Sequence, residues 1–148
     1  MILSNQVRCH KCSDTPFSAH RHDFKSCACG AIAVDGGMSY LRRVGAVRAY
    51  DDMSIEFPTE TCDKVITAVD SIMADPTYQP SDLVVAILSI LINNNVTVDD
   101  LTPVGLYDAA ACACIWVKEN NRNGLGALCA VARYVRDAGG TWKVPADV

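Results

Sequence analysis

The chain has 148 residues, half of them hydrophobic and a fifth charged, with few aromatics and a formal net charge of −4. That length and balance fit one domain, or one core with a small satellite, and exclude a disordered chain. Residues 1–50 carry seven basic and three acidic side chains (+4), and residues 51–148 carry six and fourteen (−8); the acidic rear excludes a broad polyanion-binding face there.

Taken from the front, "QVRC" and "GAIAVD" read as short strands. "DGG" at residues 35–37 is a tight-turn signal, because glycine accepts a positive φ at little steric cost. "MSYLRRV" reads as the returning strand and "MSIEF" at residues 53–57 as another, giving a small antiparallel sheet. In "HRHDF" the alternation expects His20 and His22 on one face of a strand.

Composition changes at Phe57 and Pro58, which divides the chain into parts 1–57 and 58–148 expected to pack together. The rear part predicts four helices. The first spans about residues 59–74, with Cys62, Val65, Ile66, Val69 and Ile72 at three- and four-residue steps. The second opens at the Ser81 cap and ends at residues 93–95, and its apolar character on all sides predicts a central helix. The third starts at Thr102 and Pro103, where proline is tolerated in the first turn, and stops near "NRNG". The fourth, about residues 125–138, stops at Gly139 and Gly140 and leaves "TWKVPADV" as a tail. The most apolar run, "LVVAILSILI", has ten residues, about half of the roughly 20 that a membrane span needs. The fold class expected is α+β: a small antiparallel zinc ribbon packed on a bundle of about four helices.

Eight cysteines raise two alternatives, a disulfide scaffold or metal ligation. The opening "MILS" shows no basic stretch followed by an apolar one, so a reducing cytoplasm is expected. Cys9-x2-Cys12 and Cys27-x-Cys29 are two short hooks separated by 14 residues, each able to give two thiolates from one tight turn. Zinc is satisfied by four tetrahedral thiolates, which leave no open position for water or substrate. One structural Zn²⁺ on Cys9, Cys12, Cys27 and Cys29 is therefore expected to clamp, not to catalyse. His20 and His22 are read as hydrogen-bonding neighbours of that site, with replacement of Cys27 or Cys29 by an imidazole as the alternative. His10 is expected to point outward.

Cys62, Cys112, Cys114 and Cys129 read as small buried helix residues. Asp51 and Asp52 are placed in a turn, and Asp99 and Asp100 at a helix start. "GLGAL" lacks the lysine and the preceding strand of a phosphate-binding loop. Tyr40, Arg42 and Arg43 form a candidate recognition patch, since Arg and Tyr are frequent interface anchors. Trp142 is a candidate partner anchor that could equally pack back.

Across residues 20–45, "HRHDFKSCACGAIAVDGGMSYLRRVG" resembles an uncharacterised zinc-ribbon-like domain of small tailed-phage proteins. The shared pattern is the early C-x2-C, "HDFKxCxCG", "VDGG" and "YLRR", and it covers about the first 50–57 residues. The resemblance implies a phage origin, the cytoplasm of an infected bacterium, and metal-ligand roles for Cys9, Cys12, Cys27 and Cys29. It implies no catalytic residue.

The function expected is that of a non-enzymatic phage accessory protein that binds a host protein and modulates or inhibits it, in counter-defence or host takeover. The alternative is a nucleic-acid-binding regulator using Lys25, Arg42, Arg43 and Arg48. No membrane association is expected.

Overall fold

The computed structural model describes residues 1–146; the last two residues of the predicted tail, Asp147 and Val148, lie outside the described residues. The fold is α+β, with short antiparallel strands and a cysteine cluster first and four helices after. It divides into two compact units, Met1–Glu56 and the remainder from Phe57.

The front unit is a set of small antiparallel pairings. Strand β1 (Ile2–Ser4) pairs with β7 (Ile55–Glu56), and β2 (Val7–Cys9) pairs with β6 (Tyr50–Asp52). Strands β3 (Lys25–Ser26), β4 (Ala33–Asp35) and β5 (Arg42–Val44) form a three-stranded sheet with β4 in the centre. A 3₁₀ turn at Val47–Ala49 leads into β6. The predicted strands correspond to β2, β4, β5 and β7. Asp51 and Asp52, expected in a turn, instead belong to β6, where Asp51 lies opposite Arg8.

Leu3, Ala33 and Ile55 are buried in this unit, but the cluster beside the hooks is small: Val7, Cys9, Cys27, Ile32 and Val34, with Cys12, Ala31 and Tyr50 against it. Two of its five buried residues are cysteines of the paired hooks. So few apolar side chains form a marginal core, and a cross-link of some kind is the usual remedy at this size.

A polar network does much of the remaining work. Asn5 is fully buried, and its amide nitrogen donates to the carbonyls of Asp35, Gly37 and Tyr40 at 3.0, 3.0 and 3.1 Å. Those carbonyls run from the end of β4 through the loop to β5, so a single side chain fixes the path of residues 35–40. Ser18 joins in, accepting from Gly37 N and donating to Asp23 O.

In the rear unit, α1 (Thr59–Met73) packs on α2 (Pro80–Asn93) and α4 (Gly124–Asp137), and α3 (Pro103–Glu119) packs on α2 and α4. Each helix thus occupies one corner of a four-helix bundle. The predicted start of α3 holds where capping chemistry marks it, Thr102 accepting from Gly105 N; "NRNG", read as the end of α3, instead supplies the N-cap of α4, where Asn123 accepts from Gly126 N. Helix α2 carries a capping box between Gln79 and Asp82, two residues earlier than the Ser81 cap the sequence suggests.

Two expectations are corrected here. Helix α2 is not central: it buries Leu83, Val84, Ile87 and Leu91, but Val85 and Ile92 are 58% and 57% exposed. Four helices joined by short links close into a ring of neighbours, which leaves no central position. The predicted tail holds a strand, β9 (Thr141–Lys143), that pairs with β8 (Thr97–Asp99). Asp99, expected at a helix start, sits in β8 and meets Lys143 Nζ at 2.6 Å. Among the described residues no helix is long and apolar enough to cross a membrane.

Candidate metal centre

The four hook cysteines converge. One ligand atom from each of Cys9, Cys12, Cys27 and Cys29 lies within 4.8 Å of the others, and all four are free thiols. Local backbone geometry explains the convergence. Cys9 ends β2, and Ser13 N donates back to Cys9 O at 2.9 Å while Cys9 N donates to Asp14 O at 2.9 Å. Ser13 closes this hook in the left-handed region, φ 61°. The second hook repeats the device with Gly30, φ 77°, whose N–H donates to Cys27 O at 3.1 Å. Asp14 then ties the hooks together, its carboxylate accepting from Ala28 N at 2.9 Å.

The donor set fits a metal ion. The Cys9–Cys29 and Cys27–Cys29 sulfur separations are both 3.6 Å. Four sulfurs about 2.3 Å from a tetrahedral ion stand roughly 3.8 Å apart, whereas a disulfide brings two within about 2.05 Å. The two shortest spacings are near the value for coordination and far from that of a disulfide.

Electrostatics point the same way. Burial opposes charge on Cys27, yet the Ile32 N–H and the Cys29, Cys9 and Cys12 thiols together pull its pKa down to about 6. Cys12 is also lowered, through the N–H groups of Asp14 and Cys29. Cys29 has the Ala31 N–H in its favour, but burial and the neighbouring Cys27, Cys12 and Cys9 sulfurs push it up to about 11. Backbone N–H groups therefore prepare thiolates that crowding forbids from forming together. A bound cation is what allows all four to ionise.

The histidines stand elsewhere. Among the described residues the cluster consists of the four cysteines alone. Residues 20–22 form a bend and turn, not a strand, because Asp23 accepts from Ala19 N and its own N–H returns to His20 O. His22 adopts φ 63° and its Nδ1 meets the Tyr40 hydroxyl at 3.0 Å, and that hydroxyl also donates to Asp35 at 3.4 Å. His20 Nδ1 lies 3.3 Å from Arg21 O. His10 points outward, its nitrogens 2.8 Å from Arg48 O and from Asp51; the Asp51 bond first, then the Arg48 carbonyl, raises its pKa.

The "YLRR" segment splits by direction. Arg43 turns inward, its side chain only 12% exposed, and donates to Asn5 Oδ1 at 2.7 Å, to Asp52 and to the Ser54 hydroxyl. Arg42 stays outside at 62% exposure, 3.6 Å from Asp35. Trp142 donates its indole N–H to Ala132 O at 3.0 Å and sets its ring edge-on to Phe57 at 5.1 Å. Cys62, Cys114 and Cys129 are buried, and burial pushes the first two to about 11 and about 12. Cys112, read as buried, is exposed on α3.

Sequence reasoning overlooked one surface. In β3–β4–β5 the row Lys25, Val34, Arg43 has buried Val34 at its centre. The two-residue period puts Ser26, Ala33 and Val44, and Asp35 and Arg42, on the opposite face. Its central Ala33 and Asp35 are buried too, while Val44 is 42% exposed and Phe24, just ahead of β3, 53%. The signal was present in "HDF" and "RRV", but only the strand register reveals that they are neighbours.

Residues 1–45 match a family described as a domain of unknown function, DUF7695. No curated protein and no solved structure matches the chain.

Proposed function

We propose that the chain is a non-enzymatic accessory protein of a tailed phage. It acts in the cytoplasm of the infected bacterium by binding a host protein and modulating or inhibiting it. The ion is Zn²⁺, the default for a closed site of four thiolates on short β-hooks, and it organises a zinc-ribbon-like front unit. A closed set of four thiolates holds backbone in place and leaves no coordination position for chemistry.

The observation that carries this reading is the outer face of β3–β4–β5, where Phe24, Arg42 and Val44 stand together and exposed. An aromatic ring, a guanidinium and an aliphatic side chain on a rigid sheet are the composition of an interface anchor, and they suit an apolar segment flanked by acids. Tyr40, bonded to His22, borders it. The nucleic-acid alternative is weaker because three of its four cations, Lys25, Arg42 and Arg43, face the carboxylates of Asp23, Asp35 and Asp52.

Affinity capture with the full, metal-loaded chain from infected cells tests this. One host protein recovered in stoichiometric amount, and lost on Phe24→Ala with Arg42→Glu, supports it. Reproducible capture of nothing, or of a partner indifferent to both changes, contradicts it. Salt-sensitive binding of nucleic acid weakened by Arg42→Ala would favour the alternative.

A further inference from the structure

Helix α2 has no charged residue between Leu83 and Asn93. A helix apolar on every side is ordinarily enclosed on every side, yet α2 is covered on one flank only. Val85 and Ile92 are 58% and 57% exposed, and with half-buried Leu88 they recur at steps of three and four, which makes one stripe. Helix α3 runs beside it in the opposite direction: Lys118, near its end, donates to Tyr78 O, just ahead of α2, at 2.6 Å. On α3, Val104, Tyr107 and Ile115 are 71%, 45% and 46% exposed, and half-buried Ala111 completes a second stripe. A cavity of about 200 Å³ lies beside the first stripe, where Leu88 and Ile92 of α2 meet Leu106 of α3 together with Val98 and Trp142.

We infer that this α2–α3 face is covered by the same face of a second copy of the chain. Charge is the first argument. Asp108 is the one charged side chain among the exposed positions of α2 from Leu83 and of α3 as far as Val117, where Tyr107 and Cys112 are neutral. The outer side of α1, in contrast, carries Glu60, Asp63, Lys64 and Asp70. The chain as a whole is acidic at −4, so two copies repel except where a face is nearly free of charge, and this face is the place. It offers a charged partner almost nothing to pair with, whereas an identical apolar face matches it.

Area is the second argument. The five exposed side chains present on the order of 500 Å² per copy, and two copies about 1,000 Å², the lower bound of a specific protein pair. Two antiparallel stripes related by a two-fold axis also lie α2 against α3 in both directions, the self-complementary arrangement that closed dimers use.

The test is the mass of the metal-loaded full chain, by light scattering or sedimentation, from about 1 to about 100 μM, the range in which a pair of that size dissociates. The mass is expected to rise with concentration to twice that of one chain. Val85→Lys and Ile115→Lys each weaken the pair by about tenfold or more with helix content unchanged, and Glu60→Lys on α1 leaves it intact. A single-chain mass throughout overturns the inference, as does a dimer indifferent to both lysine variants. A single-chain mass together with loss of a captured host protein on Val85→Lys overturns it too, by assigning the face to that protein.

Discussion

Arg43 donates to Asn5 Oδ1 at 2.7 Å, across 38 residues of sequence, and this bond joins the start of the chain to β5. Asn5 Nδ2 holds the carbonyls of Asp35, Gly37 and Tyr40 from its other end. Two adjacent arginines therefore do different jobs. Arg43 belongs to the interior and Arg42 to the surface.

The first prediction follows from that division. Asn5→Ala strands three carbonyls and part of the Arg43 guanidinium, and is expected to cost about 2–4 kcal/mol. Arg42→Ala is expected to change stability by less than about 0.5 kcal/mol, because its ion pair is exposed. Urea denaturation of both variants checks the contrast; equal losses would mean that the two side chains do not divide in this way.

A second prediction concerns the start of α4. Gly124 N donates to Asp70 Oδ1 at 2.7 Å, and a Cβ on Gly124 would stand 2.7 Å from both that oxygen and Ile66 O. Backbone on one side cannot yield cheaply, so Gly124→Ala is expected to destabilise by about 1–3 kcal/mol. Gly139→Ala serves as the comparison: its Cβ would meet nothing, but at φ 97° it carries backbone strain alone. Thermal melting of the helical signal separates crowding from strain.

The third prediction is a pH profile. The Thr77 N–H and then the Thr77 hydroxyl hold Asp75 below its ordinary pKa. A group depressed in the folded state contributes stability that is fully present above the unfolded value of about 3.9 and is lost as pH falls through the lower folded value. Lys143 is the opposite case, raised by its bond and attraction to Asp99; its contribution is present below about 10.4 and is lost as pH rises through the folded value. Asp75→Ala should flatten the acid limb of helix stability and Asp99→Asn the alkaline limb. An unchanged limb in either variant would remove that contribution.

The fourth prediction is selective melting. Chelation should unfold the front unit, where the core cluster beside the hooks has five buried members, two of them hook cysteines, and leave the helices folded. Cys9→Ser should do the same without chelator. Tryptophan is absent from the front unit, so its strand-borne amides, followed by hydrogen exchange, are the suitable probe. Loss of protection at β2 and β6 with retention in α1–α4 is the expected pattern.

Much of the rear unit is legible in the sequence because its signals are local. Cys62, Val65 and Val69 mark α1 at helical spacing, and Thr102 names the cap of α3. The cysteine hooks are equally plain, since each is a tight turn written within four residues. What stayed hidden depends on partners far along the chain. Strand β1 pairs Ile2 with Glu56, and β8 pairs Val98 with Trp142; segments of three residues carry no periodicity that announces such partners. Arg43 turns inward because Asn5 is there, not because of anything in "YLRR". The apolar run of α2 was read as full enclosure, but hydrophobicity gives no direction when one flank is left to a neighbour.

The account rests on the four cysteines holding one ion. The absorption spectrum of the cobalt-substituted protein tests this most directly, because d–d and thiolate charge-transfer bands report both geometry and ligand type. The account predicts saturation at one cobalt per chain with the bands of a tetrahedral site of four thiolates, and their loss in Cys9→Ser and Cys27→Ser. No uptake, or the spectrum of a site with nitrogen or water among its ligands, would contradict it.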